Sequence, residues 1–585
     1  MDATKWLGWL APCGFAFLFG CGWNGGTARD AVTLSPAPPP VRGGTIAVAS
    51  DGAWFVVVDR DRNRIDRIER GNEGLVRTAS LRLAMRPERA LAVDDETWLV
   101  RADGQLMLLD DSLATLAEAS VCSSAYGLAW DAEHARAWVS CTTGELVIVE
   151  RTSGGLAVRN RLALGPDTGD IAIAAGRAFV AQTRLARVAI LDTTTLAVVH
   201  QVALTVSTTV HPEGTRRDMP RAALRLVARG TGVVVLHQRA RLGPPVQSRV
   251  AGAYTTHERS GPCGALAVQV AVTEIDAEGR VGPSNTLQGL TYASDLAWSA
   301  SALSVASPSS FIDGDRRGAR SAAHEAHDGC LAPLSLDIEG QVTAVAWLEP
   351  QGGHAGSFVW QTREPASIVA LGQSLELDTR SARDTGHDIF HVGDDDRVPC
   401  IACHLDGGDD GHVWESTPGV PRRTTSLRLR TPLSGGVAST APFHWDGSLG
   451  DVDTLMALHF PGPNGTTLRR DQVDAFAAWA DTLRARPGAP VSDHDAVARG
   501  RTLFESLGCS SCHGALGVAP QNLEPGRGWQ VPSLVELSER APYGHGGCGD
   551  TLASMLTERC GGPVHRVNSS SDVADLAAYL GVTSE

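Results

Sequence analysis

An aromatic residue inside a short apolar run returns at Trp54, Trp98, Trp138 and Phe179, in steps of 44, 40 and 41 residues. No other feature restricts the possible folds of this chain as strongly. Each run is followed by a second apolar segment: Arg64–Ile68, Leu106–Asp110, Leu146–Val149 and Val188–Asp192. Short runs rich in Val, Ile and aromatic residues, bounded by turn formers, read as strands. A unit of about 40 residues cannot bury its own faces and must stack on copies of itself, which is the signature of four-stranded propeller blades. Weaker copies at Val233–Leu236, Ala302–Ala306 and Phe358–Trp360 extend the pattern, stretched by insertions around His211–Met219 and Leu242–Pro262. The sequence therefore predicts an all-β propeller over residues 44–375, of about seven blades, with six or eight as alternatives. Within it His211, His237, Arg239 and His257 are candidates for a ligand site at the propeller mouth or for a face toward the rest of the chain, against the ordinary alternative of solvated loop residues. The propeller carries no G-x-S-x-G turn and no H-E-x-x-H motif, so its sequence offers no catalytic constellation.

The chain then changes character. Cys400-Ile401-Ala402-Cys403-His404 and Cys509-Ser510-Ser511-Cys512-His513 are both C-x-x-C-H, the attachment motif of c-type haem. Two thiols at this spacing can add to the two vinyl groups of a porphyrin, and the following His is placed as proximal iron ligand. The motif predicts two covalent haem c groups, on Cys400 and Cys403 and on Cys509 and Cys512, with His404 and His513 as proximal ligands. The competing reading, a structural zinc held by two C-x-x-C pairs, does not require a His after each pair.

The two motifs belong to a tandem repeat. At an offset of one hundred residues Ala441-Pro442-Phe443 falls on Ala541-Pro542-Tyr543, and Gly462-Pro463 on Gly562-Pro563. Val473, Phe476, Ala477 and Ala480 likewise match Val573, Leu576, Ala577 and Leu580, each set with the i, i+3, i+4, i+7 spacing of an amphipathic helix. Such a helix can cover a porphyrin. The expected architecture is multidomain: the propeller, then mostly α-helical tandem cytochrome c-like modules at 384–487 and 488–585.

Gly386–His391, Cys400–His404, Asp409–Trp414, Ala441–Gly447, Arg499–Phe504, Cys509–His513, Val531–Leu534 and Ala541–Tyr543 with His545 together resemble the di-haem cytochrome c peroxidase family, which includes the methylamine-utilisation di-haem enzyme. They resemble more closely bacterial proteins that fuse such a unit to an N-terminal YVTN-like propeller. The resemblance implies a peroxidase-like redox protein with unequal haems, one keeping an open site for peroxide or another small substrate and one relaying electrons. It also implies a donor or acceptor protein as partner. The alternative is an electron-transfer cytochrome with both irons closed and the propeller as docking module. His565 in Gly561-Gly562-Pro563-Val564-His565 is the expected distal ligand of the second haem, with Met555 as alternative. Relatives carry a Met-Gly-Gly near the first haem where this chain has Asn464-Gly465. Met456, His459 or His412 would then have to close that iron, or leave it open.

Residues 1–21 read as a bacterial lipoprotein signal ending Leu18-Phe19-Gly20-Cys21, with Cys21 the lipidation candidate and an ordinary secretory signal the alternative. Residues 22–43, rich in Gly, Pro and Ala, read as a flexible tether. Both readings export the chain, as a lipid-anchored protein of the outer membrane or a protein of the periplasm in a Gram-negative bacterium. A formal net charge of −15 with no basic cluster excludes nucleic acid as a partner. Of twelve cysteines, four are assigned to haem, Cys13 to the signal and Cys21 to lipid. The remaining six favour disulfides in an oxidising compartment: Cys548 with Cys560 first, Cys122 with Cys141 second, and Cys263 with Cys330 third.

Overall fold

Trp54, Trp98, Trp138 and Phe179 each sit on the second strand of a four-stranded antiparallel sheet, and none is more than 4% exposed. The computed structural model describes residues 30–71, 74–165, 167–211, 214–242, 267–308, 319–323, 330–331, 334–335, 338–351, 355–393, 398–417, 420–428, 441–462, 465–486, 488, 491, 493–513, 531–557 and 567–582. Among these the N-terminal part is a β-propeller of six four-stranded blades and one six-stranded sheet. The innermost strands touch in sequence, Ile46–Val48, Pro87–Val93, Ala125–Asp131, Thr168–Ala174, Gly214–Arg229, Asp295–Trp298 and Val342–Leu348, and the last meets the first. Strand middles are buried against both neighbouring blades, while outer strands such as Thr115–Ser120 and Val198–Ala203 are largely exposed. This is why the second and third strands gave the readable apolar runs.

The six-stranded sheet absorbs the insertion at 211–219. Its long strand Gly214–Arg229 pairs first with Ser207–His211 as a hairpin, breaks register between Arg221 and Arg225, and then joins the ring. The bulge places Ala222 at φ 53 and turns the strand from one role to the other.

Beyond the propeller lie short helices: α1 (Thr385–His391), α2 (Cys400–Cys403), α3 (Val452–His459), α4 (Arg470–Ala480), α5 (His494–Ser506), α6 (Cys509–His513), α7 (Leu552–Thr557) and α8 (Ser570–Gly581). The hundred-residue offset holds in three dimensions. Ala441–Pro442 and Ala541–Pro542 are both cis, and Phe443 bridges Leu449 as Tyr543 bridges Gly549. α1 packs on α4 as α5 packs on α8. At each crossing a glycine lets the helices meet: a Cβ on Gly386 would strike Ala475 and Trp479, and one on Gly500 would strike Asp575 and Tyr579. Four residues after each glycine, one turn along the same face, Phe390 lies 4.8 Å from Trp479 and Phe504 lies 5.5 Å from Tyr579, ring centroid to centroid. No helix among the described residues is long and apolar enough to cross a membrane.

Two expectations about domain organisation need correction. Residues from Ala31 on do not behave as a flexible tether. Val32 exchanges hydrogen bonds with Thr385, Leu34 N donates to Asp384, and Val41 N donates to His391 Nε2. Trp479 Nε1 donates to Pro38 O and Arg60 to Pro40 O. The prolines that suggested a loose linker lack N–H groups, and the carbonyls of Pro38 and Pro40 are matched by donors from α4 and from the first propeller blade. Nor is the propeller separate from the helical region. The chain from Ala31 onward is one compact unit, and a single core joins Leu224, Leu236 and Tyr292 of the propeller to Ile389, Ile401, Leu405 and Trp479. Between the propeller and α1, Thr379, Arg380 and Ser381 are exposed, but Ala382 is buried and accepts from Arg363.

Cys122 and Cys141 are joined, their Cα atoms 6.4 Å apart. Cys330 and Cys548 are each disulfide-bonded, with partners outside the described residues, where Cys263 and Cys560 lie. The export signal and Cys21 also lie outside them.

Candidate functional site

The two C-x-x-C-H segments are built in the same local way. Pro399 starts α2 with φ −66, and His404 N closes the turn on Cys400 O at 2.8 Å. Ahead of the second segment, α5 stops at Leu507, and Gly508 at φ 75 redirects the chain into α6. Both histidines are then oriented by a backbone carbonyl through Nδ1: His404 to Gly408 O at 3.2 Å and His513 to Pro532 O at 3.1 Å. This is the arrangement that fixes the tautomer of a metal-binding His. Cys400, Cys403, Cys509 and Cys512 stand outside any disulfide.

The second segment opens on a cleft that encloses about 800 Å³ when the solvent at its open mouth is included. Cys509 and His513 line it, with Met555 and an apolar wall of Phe504, Leu576 and Leu580. Leu576 and Leu580 come from the closing helix predicted to cover a porphyrin. Three further residues of the lining had no role assigned from sequence: Trp445, Arg423 and Arg540. Trp445 and Arg423 belong to the first repeat. Trp445 Nε1 donates to Arg423 O, and its ring lies 6.1 Å from that of His545. Cys512 and Leu507 are exposed, so this segment faces the surface.

The first segment is sheltered instead. Ile401 and Ala402 are fully buried against the propeller, and Gln238 Nε2 donates to Ala402 O at 2.8 Å. Of the expected distal ligands, His459 at the end of α3 is held neutral: burial, then the proximity of His444 and His404, lowers it to about 4. Those shared effects place His404, His444 and His459 in one neighbourhood. Met456 is buried in the core beside Phe460 and Trp479. His412 is wholly buried edge-on to Trp414 at 4.3 Å, and burial, then Arg221 of the propeller, lowers it to about 3. Met555 lines the second cavity, and His565 lies outside the described residues.

A buried ionic cluster joins the three parts of the molecule. Arg184, in a propeller turn, pairs with Asp167 at 2.8 Å and with Asp409 at 3.2 Å. Asp409 also takes Arg423 at 2.7 Å. Arg428 reaches Glu536 at 3.3 Å, and Arg486 reaches Glu539 at 3.1 Å and Asp406 at 2.9 Å. Burial works to raise Asp409, but Arg423 and Arg184 outweigh it and hold the carboxyl at about 2. Asp167 goes the other way, pushed up to about 6 because burial outweighs Arg184. Arg184 stands in Gln182-Thr183-Arg184-Leu185-Ala186, where nothing in the sequence distinguishes it from a solvated turn residue. The propeller histidine and arginine singled out from sequence are structural. His237 Nε2 meets Thr273 Oγ1 at 2.9 Å, and Arg239 donates to Thr286 Oγ1 at 2.7 Å. His257 lies outside the described residues, as does the side chain of His211.

No protein-family profile matches the chain, and no curated protein matches it. Solved structures that are similar to it include the following three. The Neurospora crassa Pan2 WD40 domain is 10% identical with a TM-score of 0.38, covering 60% of this chain and 97% of that one. BamB from Moraxella catarrhalis is 13% identical with a TM-score of 0.34, covering 58% and 85%. The Myceliophteria thermophila Cps50 (Swd1) β-propeller domain is 12% identical with a TM-score of 0.35, covering 57% and 97%.

Proposed function

We propose that this protein is an exported di-haem c-type cytochrome of peroxidase-like character. One haem would be joined to Cys400 and Cys403 and the other to Cys509 and Cys512. The observation that carries the reading is the second cavity: Cys509, a carbonyl-oriented His513 and Met555 border an apolar cleft, open to solvent, beneath the closing helix. The residues fit a covalent porphyrin, which would supply one-electron chemistry when bound. His404 and His513 hold their Nδ1 protons on carbonyls, leaving Nε2 as the ligating nitrogen. Met555 supports a closed, electron-passing second site, and the exposure of Cys512 and Leu507 supports contact there with a donor or acceptor protein. Gln238 and the propeller core exclude water from the back of the first segment. Neutral His459 can accept a proton from peroxide there.

The electron-carrier alternative is favoured by that same His459, because a neutral imidazole in the neighbourhood of His404 can also close the first site. Both readings are tested on protein expressed with haem-attachment machinery. Mass should show two added porphyrins, and fewer than two defeats the proposal. Met555→Ala should convert the second site from low to high spin. Two low-spin sites in oxidised and half-reduced protein without peroxide turnover would select the carrier. Export and a lipid anchor at Cys21 remain part of the proposal and are read from the mature N-terminus.

A further inference from the structure

Resting on the di-haem reading, we propose that Arg540 and Arg423 are a built site for the two carboxylates of the second porphyrin. Arg540 is 6% exposed, and its Nη1 donates only to neutral acceptors, Ser533 O at 2.7 Å and Val535 O at 3.2 Å. No carboxylate lies within ion-pair distance of it among the described residues. A guanidinium stays charged at any ordinary pH and is costly to bury without an anion. Arg423, whose side chain is 3% exposed, has one carboxylate, and it is shared. Asp409 Oδ1 receives Arg423 Nη2, Arg184 Nε and Gly411 N together, while Arg423 Nε makes no hydrogen bond. Two cations thus border the cavity with one directly paired carboxylate, Asp409 on Arg423, while Asp409 and Glu536 act on Arg540 only from beyond ion-pair distance. Burial, then Arg423, lowers Arg540 to about 10, although Asp409 and Glu536 work to raise it.

The walls select the class of anion. The rest of the lining is mainly apolar, with Phe504, Leu576 and Leu580 beside Cys509 and His513. A small inorganic anion would satisfy the arginines but leave the apolar space unfilled. A flat apolar macrocycle carrying two carboxylates satisfies both, and bidentate arginine pairing suits carboxylates.

The test uses full-length haem-loaded protein. The midpoint potential of the second haem and its propionate bending band in resonance Raman are compared in wild type, Arg540→Gln, Arg540→Lys and Arg499→Gln. Arg499 pairs with Asp575 on the exposed face of the same repeat and serves as charge control. Loss of a cation beside the carboxylates disfavours the reduced form. Arg540→Gln should lower the potential by about 59 mV, a tenfold change in the one-electron equilibrium. Arg540→Lys should keep most of the potential but shift the Raman band, and Arg499→Gln should change neither. An Arg540→Gln potential equal to wild type, or an equal shift in Arg499→Gln, overturns the inference. If Arg540→Gln fails to fold, an unshifted band in Arg540→Lys overturns it. Absence of haem on Cys509 and Cys512 by mass would defeat the functional reading instead, so the two failures are distinguishable.

Discussion

Replacing Gly500 by alanine tests whether the second repeat is built on its helix crossing. A free helix gains about 1 kcal/mol from such a change. Here the added Cβ would stand 2.7 Å from Tyr579 Cβ and 2.7 Å from the carbonyl carbon of Asp575. Carbon atoms pack at about 3.5 Å or more. Because the carbonyl oxygen of Asp575 lies nearer still, the crossing must open by more than about 0.8 Å. Neither obstacle can rotate away, since one is backbone and the other a Cβ. Overpacking of this kind costs about 1–3 kcal/mol, and a rigid obstacle puts it at the upper end. Subtracting the propensity gain leaves a net destabilisation of about 2 kcal/mol. Gly581, at the end of α8 with nothing within 4 Å of its Cβ position, is the matched control and should be stabilised by about 0.5 kcal/mol when changed to alanine. Calorimetry of the two variants gives effects of opposite sign. A Gly500→Ala protein as stable as wild type, or more so, would refute the crossing geometry, and Gly386→Ala should repeat the result in the first repeat.

Three other properties of the fold can be measured. Changing both Cys122 and Cys141 to alanine opens a loop with a sequence separation of 19 and should cost about 3 kcal/mol by calorimetry, so an unchanged melting temperature would count against it. Burial pushes Asp388 up to about 6 despite Arg363, so its contribution is fully present below the ordinary carboxyl range and is lost as pH rises through about 6. Asp388→Asn should therefore gain on the order of 2 kcal/mol over wild type at pH 7 and nothing at pH 4, and equal curves at both pH values would contradict this. Protease cutting at Thr379–Ser381 should leave both fragments associated on gel filtration, because their core is shared, whereas release of a folded propeller would restore the picture of separate domains.

The propeller was legible because a blade repeats one local pattern, with Trp54, Trp98, Trp138 and Phe179 facing the same kind of neighbour four times. The pattern faded where the sheet carries extra strands, since Gly214–Arg229 serves a hairpin and the ring in succession and shows neither period cleanly. C-x-x-C-H could be picked out because its five residues are contiguous in the sequence. Its surroundings could not be. Arg423, Arg540 and Trp445 acquire meaning only when the two repeats are brought together, and Gln238 only when the propeller meets Ala402. Pro36–Pro40 shows the opposite error: composition suggested looseness, while the partner of the Pro38 carbonyl, Trp479, lay 441 positions away.

The proline segment near the start of the chain also imposes an order on biogenesis. Pro38 waits for Trp479, 441 positions later, and Val41 waits for His391, 350 positions later. Synthesis thus delivers the propeller strands long before the helices that complete its core, leaving Leu224, Leu236 and Tyr292 without their final cover. A nascent or C-terminally truncated chain would present that surface to water and to other chains. Quality control should recognise such intermediates by that patch until α1, α2 and α4 have emerged to cover it.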